Sequence, residues 1–584
     1  MYTLLGHPCR NFNILAKTVI QDPKDGREKL VLANFVAGGT GVLIFVDTED
    51  HSYETITLPG DEGAWGLVNW FNKKLVVGTC PQHAYLHCLD LTTREWAEPL
   101  SDPGEKYFWD MTVGSDGKVY GGTWPGCSLL RYDPETHELK NMGRVSDNDK
   151  NLYSRPVYGA LPGTVFVAGG YDVPFLKAFD LATETFHDLD APGYRVKEAN
   201  EDFICLEKEG ELKWLDSKTR QPIADLDPSR LTKSSVQLPN GQSFGVVALA
   251  NDRYAGVRGQ EYFIINGLTD VPELRRIPSE PSPTRIFTLT TDPEGTVWGS
   301  CGFGQTIFSY DPVRDEHWNS ATVCNAGGEV YGMLFVGGKL YMSAYVGGDH
   351  IVYDPKQPWD QLSNANPRML KSVSPDFVRP EGRSVLGPDG GIWTGWSAKY
   401  GTYGGALSRI DVENHGVDVW TDPLHNDQQV CGLTADGQYL YFTTNGGASG
   451  LGYKQVQCGF GVWKPGEGLV HQVTFDKEEE MVGNGVLAGA SSVFVRVGDS
   501  IRVFSPATLE FTASIPTDAP CGWMIRGEGE TILAFCGEEL LVIDEASASV
   551  RSQIALPGKV HAATRSASGD IFFAVLDGLY RLSI

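Results

Sequence analysis

The sequence predicts an all-β protein built from a repeated sheet module, on three observations. Short apolar segments of strand length recur along the whole chain, bounded by turns rich in Gly, Asp and Asn. Amphipathic spacing of the helical kind is almost absent. One pattern returns with a period of about 45 residues. It runs strand, tight turn, strand, variable loop, a third strand ending near Asp-Pro or Asp-Leu, polar turn, fourth strand.

The clearest copy begins at Phe108: FWDMTVG, the turn Ser115-Asp116-Gly117-Lys118, VYGGT, a loop around Trp124-Pro125-Gly126, SLLRYDP and ETHELKNMG. A second begins at Arg285, with RIFTLTT, the turn Asp292-Pro293-Glu294-Gly295, TVWGS, TIFSYDP and VRDEHWNS. A third begins at Val330 and passes through Gly337-Gly338-Lys339, LYMSA and HIVYDP. Four short strands in such a period match one blade of a β-propeller. A lone four-stranded sheet has two apolar faces and needs a neighbour on each, which radial stacking supplies.

The first turns can be followed at about 13 places, too many for one ring of 4–8 blades. The fold class is therefore two β-propellers, about 13 four-stranded blades split 6+7 or 7+7. The stretch Pro278-Ser279-Glu280-Pro281-Ser282-Pro283-Thr284 reads as the linker, giving a first ring over 1–282 and a second over 283–584. The last unit, from Val560, lacks its outer strand, and Tyr2 to Leu5 is a spare strand at the other end. If that strand completes the last unit, the termini meet in one blade and the second ring is inserted. If it closes the sixth unit, the rings are in tandem.

Composition narrows the function. The 584 residues carry 48 Lys+Arg and 74 Asp+Glu, a net charge of −26, a poor match to nucleic acid. No apolar run is long enough to span a membrane as a helix, and the N-terminus lacks a secretory pattern, so a cytoplasmic protein with neither nucleic-acid nor membrane partner is expected. The 11 cysteines include no Cys-x-x-Cys pair and read as free thiols. No Walker loop and no nucleophile elbow occurs.

The unit endings Arg131-Tyr132-Asp133-Pro134, Ser309-Tyr310-Asp311-Pro312 and Val352-Tyr353-Asp354-Pro355 resemble those of the quinoprotein-like and gluconolactonase-like propeller superfamily. The resemblance covers nearly the whole chain. It implies fold far more than function, because the Asp-Pro step is a turn device. Members of that superfamily include polysaccharide lyases, glycoside hydrolases and inert scaffolds. The regular Trp-Asp and Gly-His signatures of WD repeats are missing here, as is the tryptophan series of quinone-dependent dehydrogenases.

In a propeller, the loop between strands two and three lies on the same face as the link into the next inner strand. Those loops gather the chemistry. In the first ring they hold His83, Tyr85, Tyr107, Trp109, Trp124, Tyr153 and Arg155. In the second they hold Arg285, Gln305, Tyr331, Tyr345, His350, Arg379, Arg383, Trp396, Lys399, Tyr400, Tyr403, His425, Gln428, Gln429 and the loop 445–457. Aromatic rings suit sugar C–H faces, and Arg pairs with a carboxylate. Tyr and Trp at such positions also pack between blades, and a solitary His such as His87 is more often structural.

The expected function is cleavage of an oligosaccharide, one carrying a uronate, by β-elimination at the mouth of the second ring. Arg379 and Arg383 are the expected carboxylate holders. His350 or His425 is the expected base. Tyr345 and Tyr400 contact the sugar or donate a proton, Trp396 is a platform, and Lys399, Tyr331, Gln428 and Gln429 complete the substrate contacts. A glycoside hydrolase stays open, since it needs paired carboxylates and the mouth offers only Glu329, Asp349, Glu381 and Asp427. A non-catalytic scaffold for protein or glycan stays open too. A divalent metal held by His350, His425 and Gln428 or Gln429 is a weaker expectation. Oligogalacturonate lyases, also propellers, are similar in using several His and a Gln around such an ion. The acidic run Asp476-Lys477-Glu478-Glu479-Glu480 reads as a solvated loop.

Overall fold

The computed structural model describes residues 1–238, 240–325, 327–476 and 482–583. Beyond Asp476, the acidic run lies outside the described residues. Among those described, a 3-10 turn at Pro228–Arg230 is the only helical element, and the rest of the regular structure is strand. The fold is all-β and built as propellers.

The sheets are mostly four-stranded antiparallel meanders in chain order. In the unit that begins at Phe108, the strands are Tyr107–Val113, Val119–Trp124, Ser128–Asp133 and Glu138–Arg144. Its first hairpin closes on Gly117, at φ 74°, while Asp116 accepts the Lys118 N–H at 3.2 Å and the Tyr120 hydroxyl at 2.8 Å. The Asp-Pro endings do the same job: Asp311 accepts the amides of Val313 and Arg314 at 2.8 and 3.1 Å. An Asp side chain folded onto the amides ahead of it is the turn chemistry that makes the repeat visible in sequence.

The chain divides into two compact units, Phe12–Pro281 and Met1–Asn11 with Ser282–Ile584. In Phe12–Pro281, six successive sheets are described, with first strands at Ile14–Gln21, Gly63–Trp70, Tyr107–Val113, Ser154–Tyr158, Arg195–Ala199 and Ser235–Gln237. In the other unit seven are described, opening at Ile286–Thr291, Val330–Val336, Phe377–Arg379, Gln429–Ala435, Val482–Ala488, Cys521–Arg526 and Ala562–Arg565. There Ala562–Arg565 packs back on Ile286–Thr291, closing the ring.

Tyr2–Gly6 pairs antiparallel with Gly578–Leu582, in the register Tyr2↔Leu582 and Leu4↔Tyr580, and is the outer strand of the last sheet. The termini therefore meet in one sheet. The inserted unit is the N-terminal ring, Phe12–Pro281, rather than the second. The Pro-Ser stretch is likewise no loose tether, because Ser282–Pro283 pairs with Arg10–Asn11 where the chain leaves and returns.

The cores lie between sheets. Cys9, Ile286, Phe308, Ala562, Phe572 and Leu579 form the core that joins the last sheet to the first. Each large apolar side chain buried this way contributes about 1.5–3 kcal/mol, so every sheet depends on both neighbours. All 11 cysteines are buried free thiols.

One feature recurs at the start of the inner strands. Their register slips between Ile286 and Thr288, between Val330 and Gly332, between Phe377 and Arg379, and between Cys521 and Trp523. A bulge removes a residue from the ladder, increases the twist and re-aims its side chain. Phe287 and Tyr331 sit in two of these bulges.

Candidate functional site

The meander sends the links into inner strands and the loops between second and third strands to the same end of a sheet. In the unit closed by the termini, that end gathers Arg285 and Glu329 from the links, Arg379 from the end of the strand Phe377–Arg379, Glu381 and Arg383 from the break between it and Ser384–Leu386, and Tyr345 and Tyr400 from the loops. Tyr345 follows the strand Lys339–Ala344 and Tyr400 follows Ile392–Ala398.

The hydroxyls of Tyr345 and Tyr400 share a hydrogen bond. The Arg379 guanidinium lies over the Tyr345 ring, 4.1 Å from its centre. Tyr331 meets Tyr345 edge-on at 6.3 Å and Phe287 at 4.7 Å. Arg383 donates to the Tyr331 carbonyl at 2.9 Å, and its guanidinium lies 5.3 Å from the Phe287 ring and 4.4 Å from that of Trp523. Tyr345 is fixed from behind: Gln305 donates to its carbonyl at 2.5 Å, and its N–H donates to the Glu329 carbonyl at 2.9 Å.

The electrostatics follow from burial. Burial pushes the Glu329 carboxyl up to about 7, against the opposing pull of Arg379 and Arg285. Burial also holds the Tyr345 phenol above its ordinary value, against Arg379, so it stays protonated. Arg383 is lowered by burial to about 10 and keeps its charge at neutral pH. Three arginines thus face Glu381 and a half-ionised Glu329, a locally positive mouth on a chain of net charge −26. Oε2 of Glu329 and the Nε groups of Arg285, Arg379 and Arg383 are buried with no hydrogen-bond partner among the described residues. Buried polar atoms of this kind normally have one.

Four of the predicted residues therefore come together: Tyr331, Tyr345, Arg379 and Arg383, with Tyr400 bonded to Tyr345. Others are placed elsewhere. His350 is fully buried within the strand Asp349–Tyr353, with Nε2 2.9 Å from the Ser408 hydroxyl and its ring edge-on to Trp396 at 5.2 Å. Burial drives its pKa down to about 3. It cannot be the base, because strand alternation turns position 350 into the packing between sheets. Trp396 is 0 % exposed and donates to the same Ser408 hydroxyl at 2.7 Å, so it is core and no platform.

Gln428 is a brace rather than a substrate contact: its Nε2 donates to the Gln457 carbonyl at 2.8 Å and its Oε1 accepts from Thr444 at 3.0 Å. Gln429 donates to Asn445 at 2.8 Å and so also anchors the loop 445–457. His425 and Lys399 are exposed on the loops that lead to this end. With His350 in the core and Gln428 engaged, the proposed metal ligands do not converge. Among the described residues, no group of three His, Cys, Asp or Glu is placed to hold an ion.

The sequence reading named Glu329 only as one acid among few and missed Phe287 and Trp523. Its signal for Glu329 was position, at the mouth; the burial that retunes the group is not written locally.

No family model and no curated protein matches the chain. Among solved structures, it is similar to the extracellular domain of BT3049 from B. thetaiotaomicron at 15 % identity, covering 96 % of this chain and 74 % of that one, with a TM-score of 0.37. It is similar to virginiamycin B lyase from Staphylococcus aureus at 12 % identity, over 51 % of this chain and 95 % of that one, TM-score 0.38. Kuenenia stuttgartiensis hydrazine synthase aligns at 11 % identity over 51 % and 95 %, TM-score 0.41. Such likenesses carry no argument about activity. The functional reading rests on the mouth itself.

Proposed function

We propose that this mouth binds a uronate-containing oligosaccharide and cleaves it by β-elimination. The observation that carries the reading is the Arg379 cation over the ring of Tyr345, whose hydroxyl bonds that of Tyr400, near a carboxyl that titrates at about 7.

Elimination needs the substrate carboxylate neutralised so that its α-proton becomes removable. Arg379 and Arg285 supply that charge. Arg383, clamped between Phe287 and Trp523, adds to the field and supports Tyr331. Glu329, near half-ionised at neutral pH, takes the proton, as a carboxylate with a raised pKa does best. The electron pair left on carbon forms the new double bond as the glycosidic C–O bond breaks. The protonated phenol of Tyr345 then gives its proton to the departing oxygen, with Tyr400 holding the hydroxyl in line. The aromatic rings at the mouth contact the sugar C–H faces.

Glycoside hydrolysis has its own support, because Glu381 acts on the raised Glu329 carboxyl, and an acid paired with a carboxylate is the hydrolytic arrangement. Incubation with oligo-uronates separates the two. Ultraviolet absorbance of an unsaturated uronate product is the expected outcome; new reducing ends without that chromophore establish hydrolysis; neither product refutes cleavage. The expected setting for either reaction is the cytoplasm, in keeping with the buried free thiols.

A further inference from the structure

The unit Phe12–Pro281 contains a second arginine-centred cluster that the first mouth does not use. Three successive inner strands slip register at their starts: between Ala64 and Gly66, between Phe108 and Met111, and between Ser154 and Val157. The residues set into those bulges are Trp65, Trp109 with Asp110, and Arg155 with Pro156. Three bulges re-aim their side chains to one place. The Arg155 guanidinium lies 4.1 Å from the Trp109 ring, 5.6 Å from Trp65 and 6.0 Å from Tyr153. Trp109 is itself stacked between Tyr107 at 4.7 Å and Tyr153 at 5.5 Å.

This cluster carries unmet donors. The indole N–H groups of Trp109 and Trp124 are buried without a hydrogen-bond partner among the described residues. Burial pushes the neighbouring Asp110 carboxyl above its ordinary value, toward the neutral form, although Arg155 opposes this. Asp110 is therefore a weak counter-ion. The Arg155 guanidinium fork calls for an acceptor-rich anion. A groove of about 620 Å³ opens beside Arg155, with Tyr153, Tyr171, Tyr194 and Lys208 in its walls; of its two carboxylates, Glu207 is paired with Arg195 at 2.7 Å, and Glu209 is exposed. That volume suits a small ligand rather than a protein segment.

We propose that this groove is a second binding site, taking the carboxylate-bearing end of an acidic sugar chain. Arg155 holds the carboxylate, the tyrosines meet the sugar faces, and Lys208 adds a second cation on the far wall. The inference shares its ligand class with the reading of the other mouth but needs no catalysis there.

The test is titration of a short oligogalacturonate into the full-length Arg379→Met protein, in which the other mouth's hold on a carboxylate is weakened. Tryptophan emission and calorimetry follow the binding. One binding event that perturbs the emission is expected. Arg155→Met should weaken it about tenfold or more, the worth of one charged hydrogen-bonded contact, and Arg155→Lys should recover part of the loss. Tyr171→Ala, at the groove wall, should weaken it too. Equal affinity for the matching neutral galactose oligomer overturns the proposal. So does binding indifferent to both Arg155→Met and Tyr171→Ala. If the wild type binds in this way yet yields no cleavage product, this site stands and only the catalytic reading of the other mouth fails.

Discussion

Tyr345 and Tyr400, 55 residues apart and on adjacent sheets, join their hydroxyls in one hydrogen bond, and the Arg379 guanidinium lies over the Tyr345 ring. Burial keeps the Tyr345 phenol protonated. In the proposed elimination this pair is the proton donor.

Removing the Tyr345 hydroxyl should therefore cost turnover and leave the fold intact. Tyr345→Phe is expected to lower kcat by about a hundredfold or more, with the Arg379–ring contact and the thermal midpoint retained. Tyr400→Phe should cost less, because it only aligns the donor. Unchanged product formation in Tyr345→Phe would dismiss that role.

Glu329 links activity and stability to pH with opposite signs. Its folded value of about 7 exceeds the ordinary 4.5, so the folded state binds the extra proton between those values. Stability is therefore greatest below about 4.5 and falls as pH rises toward 7. Above 7, the ionised carboxyl costs about 3 kcal/mol. Glu329→Gln should raise the thermal midpoint at pH 8 and leave it unchanged at pH 4. Wild-type kcat/KM should instead climb through about pH 7, and Glu329→Gln should remove both the climb and the turnover.

Arg379 and Arg383 should separate in their effects. Arg379→Met is expected to raise KM for a uronate substrate about tenfold or more, with little change for a neutral sugar. Arg383 is packed between Phe287 and Trp523, so Arg383→Ala should also lower the thermal midpoint. Equal stability losses in the two variants would contradict this division.

The two histidines predicted as bases should behave oppositely to a catalytic pair. His350→Ala empties a fully buried position bonded to Ser408 and should cost about 2 kcal/mol or more. His425→Ala, at an exposed turn, should change stability by no more than about 0.5 kcal/mol. Turnover per folded molecule should survive in both.

Deleting residues 1–11 removes the outer strand of the last sheet, along with Cys9 from the core that closes the ring. The thermal midpoint is expected to fall by about 5 °C or more. An unchanged midpoint would show that this sheet does without its N-terminal strand.

The repeat was legible because turns are local. Asp116 and Asp311 each bond to amides within a few residues, so the module leaves a periodic mark in the sequence. The gathering of Arg379, Tyr345 and Tyr400 at one end was also legible, since strand order alone sorts the loops to two faces. Individual side-chain directions were not. His350 and Trp396 occupy promising positions in the linear pattern, yet strand alternation turns both into the packing around Ser408.

By itself the sequence determined the all-β propeller repeat and which loops share one end of each sheet, both of which depend on contacts between near neighbours in the chain. The tertiary structure alone decided which ring is inserted, because that turns on the pairing of Tyr2–Gly6 with Gly578–Leu582. It also decided that bulges at the inner strands re-aim Tyr331, Trp109 and Arg155, and that Glu329 is buried enough to titrate near neutrality. The terminal strands pair across almost the whole chain, and the groups that act on Glu329 come from neighbouring sheets, so no local stretch of sequence records either.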